Sequence, residues 1–214
     1  MSTLAEAEAA FLQRDYTRAR DIWTRFVRIG DASASAWLGA LYANGLGVEA
    51  DATKAFRYYL SAAEAGNLLA ANNVAVMYWR GQGIAADPEQ ACYWVKRTAG
   101  KGDVFAQFNY ATALSKGLGV AIDLAEALTW FRRAAEAGHY LSQAQLGHCY
   151  AKGIGTHVDR IEAFVWLASA SRHGVNAATN DLKSLLQEMS EAEKTAAAER
   201  LPPLAGKIPL APAL

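Results

Sequence analysis

One pattern limits what this chain can fold into: a glycine-rich segment of seven residues recurs at intervals of 36 residues. The first copy, residues 45–51, reads GLGVEAD, and the other three begin at Gly81, Gly117 and Gly153. No insertion disturbs the register across the four copies. A fixed period of this length is typical of solenoids, in which each supersecondary unit buries its apolar face only against its neighbours.

Helical patterns flank each glycine-rich segment. Before the first copy, Ala34, Leu38 and Tyr42 recur at spacings that place them on one face of a helix. After each copy a second helix is expected, with an aspartate as N-cap and a glycine in the left-handed conformation at its end. The residue three positions after the aspartate is Gln or Glu in three copies, which predicts a capping box there. The N-caps and closing glycines are Asp51, Asp87, Asp123, Asp159, Gly66, Gly102, Gly138 and Gly174.

The pattern from Ala34 to Gly66 resembles the Sel1 repeat, a relative of the tetratricopeptide repeat with a longer loop inside each helix pair. The resemblance covers about residues 32–175 in four copies. It implies an all-α fold, a right-handed α/α superhelical solenoid whose first helices line a concave groove. It also implies that this groove serves protein–protein contacts, and that the repeat carries neither catalytic residues nor a cofactor.

The repeat register divides the whole chain. Residues 1–31 are expected to form a degenerate N-terminal helix pair and residues 176–201 degenerate C-terminal helices, because the end units of a solenoid must cover an exposed face. Ser190 with Glu193 predicts a capping box at the last helix. The segment 202–214 is rich in proline and has two interpretations, an unstructured tail or an extended partner-binding peptide. Between the ends lie four repeats, at 32–67, 68–103, 104–139 and 140–175.

Composition and charge exclude several classes of function. The formal net charge is zero, with 21 basic and 21 acidic residues, which argues against general affinity for nucleic acids or anionic membranes. No apolar run approaches the ~20 residues of a membrane helix, and no signal peptide is visible near Met1. We therefore expect a cytoplasmic protein, monomeric by default, and the resemblance implies a bacterial source.

Enzymatic and metal-binding motifs are not found. The repeated Gly-x-Gly follows no strand and marks turn geometry rather than a phosphate cradle. The four histidines show no pair at metal-ligand spacing. Cys92 and Cys149 fall in apolar columns 57 residues apart, so both are expected to be buried free thiols. A hydrolase that uses groove residues is the alternative from the enzyme class, and an inhibitor or immunity-type protein is the alternative among binding proteins.

The candidate binding residues lie on the first helices but outside the core columns. Side-chain amides can pair with both polar groups of an extended backbone, basic residues attract carboxylates, and exposed tryptophans often anchor partners. We therefore expect a protein or extended peptide with an acidic or C-terminal carboxylate group to bind there. The candidates are Trp37, Asn72, Asn73, Trp79, Arg80, Asn109, Thr112, Lys116, Gln145, His148 and Lys152.

Each candidate also has a structural interpretation that the sequence leaves open. The basic residues Arg80, Lys116 and Lys152 each end a first helix, where a cation stabilises the helix dipole without any ligand. The asparagines can instead bond to a neighbouring helix. Trp79 replaces small residues in its column, so it either anchors a partner or packs against the loop.

Overall fold

A computed structural model describes residues 3–200 of the 214-residue chain. Within that range all regular secondary structure is α-helical, in twelve helices, which confirms the predicted fold class. The helices form two compact units, one ending at Asp123 and the other beginning at Leu124. The proline-rich segment 202–214 lies outside the described residues, so both interpretations of it stand as predictions.

Seven helices make up the first unit. Each packs against the next along the chain, and the first helices of two successive repeats also touch, α3 against α5. The helices are α1 (Leu4–Leu12), α2 (Tyr16–Val27), α3 (Ala32–Asn44), α4 (Ala52–Glu64), α5 (Leu68–Arg80), α6 (Pro88–Ala99) and α7 (Val104–Lys116).

Five helices make up the second unit, in which α9 packs against α8, α10 and α11, and α12 packs against α10. The capping box predicted before the last helix is confirmed, because the Ser190 hydroxyl accepts from the Glu193 N–H and the Glu193 carboxylate accepts from the Ser190 N–H. The helices are α8 (Leu124–Glu136), α9 (Tyr140–Lys152), α10 (Arg160–Arg172), α11 (Asn176–Glu188) and α12 (Glu191–Arg200).

Asp51, Asp87 and Asp159 cap their second helices as predicted, but the capping boxes inside the repeats are wrong. The Asp87 carboxylate accepts from the Gln90 N–H at 2.9 Å, while the Asp87 N–H already donates to the Tyr78 carbonyl of the preceding helix. That N–H is therefore unavailable to a side chain three residues later. The same N–H to carbonyl bond is made by Asp51, Asp123 and Asp159.

The glycine loops are fixed by close backbone contact as well as by backbone conformation. Gly83 has a φ of +72°, and a Cβ placed on it would lie 2.1 Å from the Ala52 carbonyl oxygen of the preceding repeat. In the second unit a Cβ on Gly155 would lie 2.2 Å from the Leu124 carbonyl oxygen. The sequence predicted turn geometry at these glycines, whereas the tight contact between loop and helix appears only in the folded chain.

The first helices have their own N-caps, which also recur every 36 residues. Asp31, Asn67 and Asp103 each accept a hydrogen bond from the backbone N–H three residues later. In α9 this position is His139, whose Nδ1 accepts from the Ser142 N–H at 3.3 Å. The periodicity was visible in the sequence, so this set of caps could have been predicted from it.

Candidate functional site

An open trough lies between α3 and α5, the first helices of the first two repeats. Two adjoining cavities of about 300 Å³ and about 250 Å³ share Tyr59 and Asn73 as lining residues. We call this feature the α3–α5 trough, and all of it belongs to the first unit. Its lining includes Glu8, Ala36, Trp37, Ala40, Ala43, Tyr59, Leu69, Asn73, Val76 and Arg80.

Three alanines on α3 leave the trough open. Ala36, Ala40 and Ala43 lie at spacings of four and three, which places them along one face of the helix. The same positions of the next repeat carry larger side chains, namely Asn72, Val76 and Trp79. The trough therefore exists because the first repeat has small residues where its neighbour has large ones.

Trp37 forms a rigid part of the trough wall. Its indole stacks on Trp23 with ring centroids 5.1 Å apart and an interplanar angle of 1°, and Phe11 lies 5.0 Å away. Trp23 is fully buried, whereas Trp37 remains half-buried at the trough. One side of the Trp37 indole thus packs against other aromatic rings, which fix the orientation of the indole. Its remaining surface is available to a ligand.

Polar groups lie along the trough and at its ends. Asn73 is exposed near the middle, and its Nδ2 donates to the Leu69 carbonyl at 3.0 Å within its own helix. Glu8 of α1 lines the first cavity, and the exposed Arg80 lines the second. The trough is therefore apolar along much of its length, with an acidic group at one cavity and a basic group at the other.

The other candidates of the first unit lie outside the trough. Asn72 is half-buried, and its Oδ1 accepts from the Thr98 hydroxyl of α6 at 3.2 Å, which matches the structural interpretation of that asparagine. Thr112 donates to the Phe108 carbonyl of its own helix. Asn109 is half-buried and Lys116 is exposed, both on α7.

Trp79 is half-buried rather than fully open to solvent. Its Nε1 is buried and has no hydrogen-bond partner among residues 3–200. Its column corresponds to Ala43, which borders the trough in the preceding repeat. Part of the indole is therefore accessible to solvent. Because Ala43 occupies the same repeat position, a tryptophan there would narrow the trough.

The second unit brings two candidates together in a much smaller cleft. His148 and Lys152 of α9 face Asp181 and Glu188 of α11 around a volume of about 70 Å³, which we call the α9–α11 cleft. The His148 Nδ1 lies 2.8 Å from the Asp181 carboxylate. Gln145 is exposed on α9 and does not line this cleft.

The described residues include two cysteine thiols but no cluster of metal-ligating side chains. Both cysteines are buried and neither forms a disulfide, as predicted. Burial raises the pKa of the Cys149 thiol to about 11, so it is not a thiolate at neutral pH. Residues 3–200 contain no group of three His, Cys, Asp or Glu side chains placed to hold a metal ion. None of the helices in this range has the length and apolarity needed to cross a bilayer.

Sequence reasoning missed the most important lining residues. Ala36 and Ala40 lie by spacing on the predicted open face and Ala43 lies in the column of Trp79, but none of the three was predicted to bind a partner, because small residues in helices are usually packing residues. Their signal was comparative, because they are small only in relation to Asn72, Val76 and Trp79. Glu8 was missed as well, since it belongs to the degenerate N-terminal pair, whose register with the repeats is weak.

The chain can now be compared with known proteins. The Sel1 repeat model matches residues 32–67, 68–103, 104–139 and 141–175. The crystal structure of a Sel1 repeat protein from Oxalobacter formigenes is similar with a TM-score of 0.80 and 25% identity, over 96% of this chain and 86% of that one. No curated protein gives a significant match.

A second solved structure is c5321, described as a protective antigen present in uropathogenic Escherichia coli strains and displaying an SLR fold. It is 31% identical with a TM-score of 0.76 over 86% of this chain, which spans 40% of the length of that antigen. The repeat matches cover well over half of the present sequence. The chain therefore belongs to the Sel1 repeat family.

Proposed function

We propose that this chain is a non-catalytic interaction scaffold that binds an extended segment of a protein partner in the α3–α5 trough. Sel1 repeat proteins are generally protein-interaction scaffolds. The observation that carries the proposal is the open space left by Ala36, Ala40 and Ala43 between two first helices. A cavity of about 300 Å³ lies within the size range of ligand sites.

The length of the trough suits a short extended peptide. The two helices have 13 residues each, which corresponds to about 20 Å at the helical rise. A strand rises about 3.3 Å per residue, so about six residues of an extended partner would span this distance. We assign hydrogen bonds with such a backbone to the exposed Asn73 amide, whose Nδ2 also donates to the Leu69 carbonyl, and apolar contact to Trp37.

The charge at the second cavity indicates the chemistry of the proposed partner. Arg80 at the second cavity favours an acidic side chain or a terminal carboxylate. Trp79, Asn109 and Lys116 are proposed to extend the contact beyond the trough, whereas Gln145, His148 and Lys152 are proposed as a separate binding surface on the second unit that the partner in the trough does not contact. A cytoplasmic location in a bacterial cell is part of the same proposal.

Site-specific photo-crosslinking tests the proposal. A photoreactive amino acid at position 40, inside the trough, should capture one discrete partner from a cell extract. The matched control carries the same group at Tyr93, which is 55% exposed on the second helix α6 and outside the trough. A partner captured from position 40 and not from position 93 supports the proposal, and equal capture from both positions contradicts it.

A further inference from the structure

The first cavity of the trough has the chemistry of sites that bind proline-containing segments. The half-buried Trp37 provides aromatic surface beside Ala36 and Ala40, and the ring of Tyr59, which is only 7% exposed, also lines the cavity. Leu69, which is 73% exposed, extends the apolar rim. Proline-rich segments dock into aromatic-lined grooves because they enter as extended helices that lose little conformational entropy. The cavity also contains one acidic group, Glu8.

The sequence of this chain contains one segment with matching chemistry. Residues 201–214 read LPPLAGKIPLAPAL and include four of the five prolines of the chain. Their only charged side chain is Lys207, which is followed by the apolar run Ile208-Pro209-Leu210. These residues lie outside the described range. A lysine beside Ile-Pro-Leu complements a cavity that combines an acidic group with aromatic and aliphatic walls.

We propose that residues 201–214 of a second copy of the chain dock in the α3–α5 trough, with Lys207 at Glu8 and Ile208-Pro209-Leu210 against Trp37 and Tyr59. This inference rests on the proposed function of the trough and names its occupant. Each copy then presents one trough and one segment, so every contact joins the trough of one copy to the segment of another.

A peptide of residues 201–214 provides the direct test. It is acetylated and amidated so that its binding does not depend on terminal charges, and it carries a fluorophore for anisotropy. Binding to the full chain should weaken about tenfold or more in Ala36→Phe, because the added ring occupies the apolar half of the trough. The repeat tolerates phenylalanine at this position, since the corresponding residue of the third repeat is Phe108. No binding, or equal binding to the variant, overturns the inference.

A charge exchange tests the orientation of the segment. Glu8→Lys and a peptide with Lys207→Glu should each weaken binding a few-fold when combined with the unchanged partner, because exposed ion pairs contribute little. The exchanged pair should regain the affinity of the original pair. If the exchanged pair binds no better than either single change, Lys207 does not lie at Glu8 and the assignment is wrong.

Two full-length variants test whether the contact joins separate copies. Ala36→Phe keeps the segment and blocks the trough, whereas a chain ending at Arg200 keeps the trough and lacks the segment. In analytical ultracentrifugation each variant alone should be monomeric, and their mixture should form a heterodimer and nothing larger. A monomeric mixture, or association of the unaltered chain that survives both changes, overturns the proposal.

The failure of this inference is distinguishable from the failure of the proposed function. If position 40 crosslinks to a different protein while the 201–214 peptide does not bind, the trough is a binding site with another occupant. If neither the peptide nor any protein is captured at position 40, both proposals fail.

Discussion

The α3–α5 trough and the α9–α11 cleft occupy corresponding places in the repeat register, yet one is wide and largely apolar and the other is small and charged. Ala40 in the trough corresponds to His148 in the cleft, and Asn44 corresponds to Lys152. His148 bonds to Asp181 across the cleft, whereas Ala40 leaves its space open. The first cavity of the trough has a volume of about 300 Å³, and the cleft has a volume of about 70 Å³.

This difference distinguishes the repeat positions that determine the fold from the positions that shape the space between first helices. The loops, caps and core columns have nearly the same structure in both regions, so they determine the fold and carry no information about a partner. The columns beside the core vary freely, and the size of one residue in such a column decides whether neighbouring first helices leave space for a ligand. The proposed binding specificity of this chain therefore depends on a few positions that the repeat pattern does not constrain.

The largest expected effect tests whether the loops are equivalent in the two regions. Gly83→Val and Gly155→Val should each lower the free energy of unfolding by about 3 kcal/mol, since a side chain at either position meets a backbone carbonyl and a strained φ. Urea denaturation followed by circular dichroism measures this loss. The control is Gly102→Val, where φ is +90° but the space is open, and the loss should be about 1 kcal/mol. Equal losses at all three positions would contradict the close-contact explanation.

The second prediction tests whether the caps are equivalent as well. Asp87→Ala in the first unit and Asp159→Ala in the second should each cost about 1 kcal/mol, because each removes a hydrogen bond to the first turn of a second helix. Asn should retain most of the stability at both positions. Thermal melts measure the loss. An Asp87→Ala chain that is as stable as the unaltered chain would show that the cap contributes nothing.

The third prediction concerns a difference in pH response. α7 is capped by Asp103, whereas α9 is capped by the unprotonated Nδ1 of His139, and burial lowers the pKa of that histidine below its ordinary value. The unfolded chain therefore binds the proton more readily. The contribution of His139 to stability is present above a pH of about 6.5 and is lost as pH falls below it.

The variant His139→Asn keeps an acceptor at the cap and removes the titration. Between pH 7 and pH 5.5 its stability should fall less than that of the unaltered chain, as measured by urea denaturation at each pH. Other groups that titrate in this range are the same in both proteins, so the difference between the two profiles isolates His139. Parallel profiles would contradict the prediction.

The smallest expected effect lies in the α9–α11 cleft itself. His148→Ala removes the bond to Asp181, but both side chains are partly exposed to water, so stability should change by less than about 1 kcal/mol. The replacement also recreates the alanine found at position 40 and should enlarge the cleft. A crystal structure of the variant would check the volume. A cleft that stays at its present volume would show that His148 is not what closes it.

The sequence was sufficient for the fold because the fold depends on local, repeated signals. Asp51, Asp87 and Asp159 are N-caps, and Gly66 and Gly102 have positive φ, as their spacing predicted. The capping boxes failed for a nonlocal reason, since the backbone N–H of each aspartate is bound to a carbonyl nine residues earlier. Glu162 shows the consequence, because its carboxylate accepts from Trp166 and pairs with Arg200 instead.

The candidate site was less predictable because it depends on how columns of neighbouring repeats meet. Trp37, Asn73 and Arg80 were predicted from the sequence and do line the trough. By spacing, Asn72 belongs to the same helix face as these residues, yet its side chain bonds to Thr98 of α6. The reason is that a single helical turn contains positions that point toward either neighbouring helix. The alanines that create the space have no polar or aromatic group by which a sequence would reveal them.

Affinity for the partner captured from position 40 tests the central claim most directly. Two variants are compared with the unaltered chain: Ala36→Phe, which fills the α3–α5 trough, and His148→Ala, which opens the α9–α11 cleft. The account predicts that Ala36→Phe weakens binding by about tenfold or more and that His148→Ala leaves it unchanged, with the helical signal of both intact. Undiminished binding to Ala36→Phe, or a loss confined to His148→Ala, would contradict it.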